Sequence, residues 1–410
     1  MSTFGHKMKA LFRGQRQTLD AEHRVLLEAN KGAIWFHAAS VGEFEQARTI
    51  IEKIVERQKT AAHKDKRPIV VTFFSPSGYE ARKNYDLADG VFYLPVPTRR
   101  NAKRFIKLLQ PSMAIFVKYE FWPPYLRELK KQRIPAYSIC AIFRPKQRFF
   151  RWWGKLPLNV LKCFTHIFVQ DEASLQLLVK HGVSQVSVAG DTRFDRMAEV
   201  RAHSFISHQP SERLTPIVQF TEGFERVIVA GSTWPKDEKL LAQFLNTDQI
   251  TKLILVPHEL NEKHLHFIFQ LFKGHIVRYS AVQAMTDATS RRNILRHAQI
   301  LVVDTMGLLS STYPFGQAAY IGGGFGVGIH NTIEAAVYGK PVIFGPNYHH
   351  FREAKGLIEA GAARSIKKYS ELEAALETAL SQSTELGAKA AAYVESELGA
   401  TEKIYEYIFS

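Results

Sequence analysis

The chain has 410 residues, 46% hydrophobic and 23% charged: enough apolar material for two ordinary domains, and too much for a disordered or fibrous protein. Its formal net charge of +15 favours an acidic partner, whether nucleic acid, an anionic membrane surface or a phosphorylated substrate. Two cysteines, Cys140 and Cys163, exclude a disulfide framework, and no apolar run approaches the roughly 18 residues of a membrane span.

The opening MSTFGHKMKALFRGQR is short, basic and mildly amphipathic, and reads equally as a membrane-surface segment or a solvated leader. Beyond it, apolar β-rich runs alternate with helical patterns. AIWFHAAS, PIVVTFF, VFYLP, MAIFVKYE, IPAYSIC and HIFVQ are mostly followed by turn residues and a helix, and VSVAGDTRFD closes the series. Residues 203–223 lose this rhythm and carry polar and proline residues. The alternation then restarts with RVIVAGST, KLILVPHE, ILVVDTMG, AAYIGGG and KPVIFGP. The expected fold is α/β, with two doubly wound, Rossmann-like domains, 1–202 and 224–390, joined by the linker 203–223 and facing a central cleft. Residues 391–410 read as a C-terminal helix packing back on the first domain. Such sheets bind ligands at the carboxyl ends of their strands, so the motifs there matter most.

At the first strand end lies AASVGEFEQAR. Ser40 and Glu43 have the spacing of a capping box, in which each side chain satisfies the other's backbone amide. The alternative is that Glu43 does chemistry at the helix mouth. A capping Glu folds back on the N-cap amide while a base points at its substrate, so the direction of this side chain separates the two readings. In VKYEFWPP, Glu120 lies between aromatic residues just past a strand; partial desolvation would raise its pKa, and an ion pair with Lys118 is the plainer reading. FRPKQRFFRWWGKLP interleaves Arg144, Lys146, Arg148, Arg151 and Lys155 with five aromatics, as at a lipid headgroup or a nucleic-acid base, or as a buried aromatic core edged by charge.

The densest cluster is YIGGGFGVGIHNTIEAAVYGKPVIFGP, where a strand runs into glycines at 322, 323, 324, 326 and 328. His330 or Asn331 can cap the following helix, whose amides would attract a phosphate, and Glu334 can accept from ribose hydroxyls. A plain glycine-rich turn with a dipole-favoured Glu is the alternative. In GSTWPKDE, Ser232 and Thr233 suit a phosphate or an N-cap, and VPHE sets His258 at another strand end. DTMG, Asp304 to Gly307, suits a turn as well as a site. The histidines show no HExxH, and His349-His350 has no partner ligands at recognisable spacing, so no metal and no cofactor are expected; no GxSxG elbow appears.

Together WFHAASVGE, TFFSPSG, YLPVP, KYEFWP, GDTRFD, GSTWPKDE, VPHE, DTMG and GGGFGVGIHNTIEAAVYGKPVIFGP resemble the Kdo (3-deoxy-D-manno-octulosonic acid) transferases of Gram-negative bacteria, from about residue 31 to 360. The resemblance implies a GT-B glycosyltransferase with its acceptor in the first domain and CMP-Kdo in the second. It implies inverting transfer to a lipid A precursor at the cytoplasmic face of the inner membrane, with an anionic membrane surface as partner and no nucleic acid. Glu43 then matches the catalytic base and Glu120 the second acidic residue. Donor contacts fall on Ser232, Thr233, His258, Gly324, Gly326, Gly328, His330, Asn331 and Glu334, and acceptor contacts on Ser40, Gly42, Ser75, Ser77 and Arg144. The chain departs from the family where Asp, Glu, Lys and Arg are often found; it carries Val96 and Pro97, Leu308, Arg193, and His258 or Glu259 instead.

Overall fold

A computed structural model of the chain describes residue 11 and residues 13–60, 66–150, 155–206 and 212–410. It divides into two compact units, residues 1–196 with 397–410, and residues 197–396. Each is built on one seven-stranded sheet.

The first sheet contains β1 (Ile34–Ala38), β2 (Ile69–Phe73), β3 (Gly90–Tyr93), β4 (Met113–Val117), β5 (Ala136–Ala141), β6 (His166–Val169) and β7 (Val186–Val188). Their spatial order is β3-β2-β1-β4-β5-β6-β7, and every pairing is parallel. Helices cover both faces, so β1, β2 and β4 are buried at every position. That double burial is why they appear in the sequence as continuous apolar runs rather than alternating ones. The strand order reverses between β1 and β4. Chain leaving these two neighbours departs in opposite directions and opens a crevice at their carboxyl ends.

The second sheet contains β8 (Val227–Thr233), β9 (Lys252–Pro257), β10 (Ile276–Arg278), β11 (Ile300–Val302), β12 (Ala318–Ile321), β13 (Val342–Phe344) and β14 (Ala363–Ser365). Their order is β10-β11-β9-β8-β12-β13-β14, again all parallel, with the reversal between β8 and β12. The edge strands β10 and β14 are three residues each and carry Arg278, Arg364 and Ser365, so they lack the apolar signature of the other five.

The segment read as a linker is partly built into the fold. Residues 207–211 lie outside the described residues, but Thr215–Thr221 is a helix with Pro216 in its first turn and with Ile217 and Phe220 buried. Its proline and polar residues mark a helix start rather than a loose tether. The chain leaves the first unit within the helix Thr192–Ile206. The helix Ala400–Phe409 belongs to the first unit. There Asp195 accepts from the Gly399 and Thr401 amides at 2.7 and 2.6 Å, Ile404 is buried, and Tyr407 meets His166 Nδ1 at 2.9 Å.

Candidate active site

In the first unit the site grows from the β1–β4 reversal. β1 delivers Ser40 and Gly42 to the start of the helix Val41–Thr60, with Glu43 in its first turn. Glu43 folds back, but only in part as a capping box would. Its Oε2 accepts the Ala39 amide at 2.6 Å, one residue before the expected Ser40 amide, and the Ser40 hydroxyl is a distant 3.4 Å from the Glu43 amide. A carboxylate has two oxygens, and Oε1 has no hydrogen-bond partner among the described residues. Anchoring and catalysis therefore do not exclude each other here, contrary to the expectation drawn from the capping-box geometry. Burial pushes the Glu43 carboxyl up, the Glu120 charge adds to this, and the Ala39 amide, Lys118 and His37 oppose it. Gly42 is exposed, and a methyl added there would meet nothing within 4 Å, so internal packing does not require this glycine.

Glu120 is buried, 8% exposed, and it does not pair with Lys118 as the plainer reading had it. β4 ends at Val117 and Lys118 takes a left-handed conformation (φ 53°), which breaks the strand alternation that would have put the two side chains on one face. Instead Glu120 Oε2 lies 3.0 Å from His37 Nε2 and accepts the Trp122 indole N–H at 2.6 Å. His37 Nδ1 faces the Thr72 carbonyl at 3.0 Å and the Thr72 hydroxyl at 2.9 Å. A wholly buried histidine on β1 thus ties β2 to the loop after β4. Its signal in the sequence was a polar residue inside AIWFHAAS, which sequence reasoning passed over.

Arg144 is drawn to the same neighbourhood, since its charge and hydrogen bond act on the Tyr119 hydroxyl, which also feels Glu43. Ser75 caps the helix Pro76–Arg82 by accepting the Gly78 amide at 3.0 Å, while Ser77 is exposed and 3.4 Å from it. The Ser75 amide donates to Ala39 O at 2.9 Å, holding the β2 loop beside the β1 loop. Arg193 is engaged with Asp191 through Nε at 2.9 Å and a terminal nitrogen at 2.7 Å. In the basic aromatic segment the buried-core reading applies as far as it is described: Phe143 and Phe149 are buried and pack against Phe121 at 5.5 Å. Residues 151–154, including Arg151, lie outside the described residues, and so does the side chain of Lys155.

The second unit builds its site at the β8–β12 reversal. A cavity of about 570 Å³, within the range of small-molecule sites, is lined among others by Trp234, His258, Phe325, Val327, His330 and Phe351. The Trp234 and His258 rings stack at 4.7 Å, and His258 meets His330 at 4.6 Å. Burial, with His258 nearby, holds His330 below the usual imidazole range. A flat aromatic wall of this kind suits a base or sugar face. Ser232, one residue before the end of β8, takes a left-handed conformation (φ 54°) at a bulge in the β8–β9 pairing.

Several residues expected at the donor site also hold the loops. Thr233 is fully buried and its hydroxyl donates to Glu238 Oε1 at 2.9 Å, so it supports the site from behind. Glu238 also meets His264 Nε2 at 2.9 Å, while Asp237 accepts from Tyr320, Gly323 and Trp234 and so pins the glycine loop. A methyl at Gly324 would lie 2.7 Å from the Gly345 backbone, and one at Gly328 2.8 Å from Phe351, so both glycines answer to the chain's own packing. At Gly326 the nearest atom would be 3.5 Å away, which leaves that position open. The helix after the loop, Ile333–Ala336, is one turn, too short for the dipole expected of it; its start is held by Asn331 Oδ1 accepting the Ile333 amide at 3.1 Å. Glu334 accepts from Asn331 at 3.1 Å and from Ser310 at 2.7 Å, and burial pushes its carboxyl up. Asp304 of DTMG accepts the Ser280 amide and hydroxyl, tying the loop after β11 to the start of the helix Tyr279–Gln283. Among the described residues no His, Cys, Asp and Glu group is arranged to hold a metal ion, and no helix is long and apolar enough to cross a membrane.

Residues 13–196 match the family model described as 3-deoxy-D-manno-octulosonic-acid transferase (kdotransferase). Curated relatives carry the likeness through both units. The 3-deoxy-D-manno-octulosonic acid transferase of Rickettsia felis is 27% identical over 374 residues, covering 89% of this chain and 75% of the relative. That of Aquifex aeolicus is 27% identical over 369 residues, covering 87% and 88%. Among solved structures, UDP-GlcNAc 2-epimerase from Neisseria meningitidis aligns with a TM-score of 0.64 at 13% identity, over 92% of this chain and 99% of that one. MurG from Acinetobacter baumannii aligns with a TM-score of 0.55 at 13% identity, again over 92% and 99%. Identities this low establish the GT-B fold and nothing about substrate. The family model lies on the first sheet and the transferase relatives span both sheets, so the chain is similar to the Kdo transferases over most of its length.

Proposed function

We propose that the protein is an inverting glycosyltransferase that moves Kdo from CMP-Kdo to a phosphorylated lipid A precursor, lipid IVA, with Glu43 as general base. The observation that carries this reading is Glu43 itself: a carboxylate at the β1–β4 reversal, anchored through Oε2, with Oε1 unengaged and its basicity raised by burial. The acceptor hydroxyl oxygen attacks the anomeric carbon of Kdo as the bond to the CMP phosphate oxygen breaks, and the hydroxyl proton passes to Oε1. CMP leaves as a monophosphate, received by loop amides around residues 323–330 and by the aromatic wall of Trp234, His258 and His330. Lys118, whose charge acts on Glu43, and Arg144, which acts on the neighbouring Tyr119, are the cations assigned to the acceptor's phosphates.

The net charge of +15 supports work on an anionic membrane surface, at the cytoplasmic face of the inner membrane. The helix Arg99–Leu109, with exposed Arg99, Arg100, Lys103 and Lys107 and no acidic residue, is better placed to meet lipid headgroups than the inward-packed aromatics at 143–150. Incubation with CMP-Kdo and lipid IVA, followed by product mass determination, tests the whole reading. A UDP-sugar enzyme of the same fold would instead show a thermal shift with UDP and none with CMP.

A further inference from the structure

We propose that His37 is a positioning residue that holds a second proton, shared with Glu120, so that Glu43 is left as the one free carboxylate of the strand-end cluster. The proposal deepens the reading of Glu43 as base and rests on it. The Thr72 carbonyl oxygen can only accept, and it lies 3.0 Å from His37 Nδ1. The Thr72 hydroxyl, 2.9 Å from the same nitrogen, accepts the Trp35 indole N–H at 2.8 Å and directs its own hydrogen toward Phe36 O at 3.3 Å. The carbonyl can be satisfied only by a hydrogen on Nδ1, and with the hydroxyl's hydrogen on Phe36 O the hydroxyl accepts from Nδ1 as well, so we assign Nδ1 a hydrogen.

A neutral imidazole with its proton on Nδ1 has a bare lone pair on Nε2. That lone pair faces Glu120 Oε2 at 3.0 Å in a buried site, and two acceptors at this distance repel. The Trp122 indole N–H reaches both atoms, Oε2 at 2.6 Å and Nε2 at 3.1 Å, but one hydrogen cannot lie on the line between the other two. A proton on the Nε2–Oε2 axis removes the conflict, as an imidazolium with a carboxylate or as an imidazole with a carboxylic acid. Either form has no net charge.

The consequence falls on Glu43. The charged groups that act on it are Glu120, Lys118 and His37, with Tyr119 and its partner Arg144 beside them. Two carboxylates in one partly desolvated site compete for a single proton, and one is forced to stay neutral near pH 7. With the His37–Glu120 pair neutral as a unit, Glu43 is free to ionise and accept the acceptor's proton. His37 touches no reacting atom; it acts through the charge it cancels.

Two measurements test this. In protein with 15N-labelled histidines, the His37 signals are assigned by their loss in His37→Gln. At neutral pH, Nδ1 is expected to be protonated, and Nε2 protonated or strongly hydrogen-bonded. In Glu120→Gln, Nε2 is expected to lose that proton. A bare Nδ1 with hydrogen on Nε2 would overturn the assignment, as would an Nε2 signal indifferent to Glu120→Gln. Kinetically, His37→Gln should move the acid limb of the kcat/KM profile for Kdo transfer upward by about one pH unit, whatever happens to the plateau. A lowered plateau with an unmoved limb would mean that His37 is only structural. If the wild-type protein transfers no Kdo, the functional reading fails while the NMR result still decides where the proton lies.

Discussion

Among the described residues Glu43 is held by one oxygen and free at the other, which sets two expectations. Glu43→Gln keeps the Ala39 contact through its amide oxygen but cannot accept a proton, so transfer should fall by about 10²–10⁴-fold while the thermal shift caused by CMP stays unchanged. Because burial raises the Glu43 carboxyl, while His37 offsets the Glu120 charge, more alkaline conditions are needed to ionise it. The acid limb of kcat/KM should therefore lie above the ordinary glutamate range, and activity should be lost as pH falls through it. Asp191 shows the opposite balance. Burial pushes it up, but the Arg193 charge and hydrogen bond, with Lys118 and Gln46, bring it down to about 2. Its stabilising contribution is present above the unfolded value of about 3.9 and is lost as pH falls toward about 2. Asp191→Asn should cost on the order of 2 kcal/mol at pH 7, read from urea denaturation, and that cost should shrink in acid.

At the scale of the element, the glycine loop after β12 separates packing from binding. Gly324→Ala brings a methyl against the rigid Gly345 backbone and should destabilise the second unit by about 1–3 kcal/mol. Gly326→Ala meets no such obstacle and should leave the melting temperature nearly unchanged. Weakened CMP binding in Gly326→Ala, measured by calorimetry, is the expected sign that a ligand approaches there; unchanged binding would remove Gly326 from the donor contacts. The run of five glycines was legible as a special loop in the sequence. Which glycine serves the ligand and which serves a neighbouring strand was not, because that depends on Gly345 and Phe351 arriving from later in the chain.

For the whole molecule, the C-terminal helix Ala400–Phe409 is a long-range element of the first unit. Its Ile404 is buried, Asp195 caps its start, and Lys53 pairs with Glu402. Deleting residues 397–410 exposes Thr49 and His166 and should speed amide exchange in the helix Val41–Thr60 while leaving the second sheet protected. Uniform loss of protection in both sheets would contradict this division.

Twelve of the fourteen strands were legible in the chain, most of them because a parallel strand covered on both faces must be apolar at nearly every position, and that is a local property. The edge strands β10 and β14 were not, since each is only three residues long and partly exposed, with Arg278 in one and Arg364 and Ser365 in the other. The motifs at the strand ends likewise stood out by residue type. Their roles were decided by contacts between segments far apart in sequence. Lys118 left Glu120 because the backbone turned left-handed, His37 took its place from 83 residues away, and Thr233 turned inward to Glu238. The sequence by itself determined the two α/β sheets and the residues at their carboxyl ends, because burial and turn chemistry are written locally. Only the tertiary structure decided which carboxylate is anchored, which is paired and which side chains remain free, because hydrogen bonds in a buried site are shared among strands that meet only after folding.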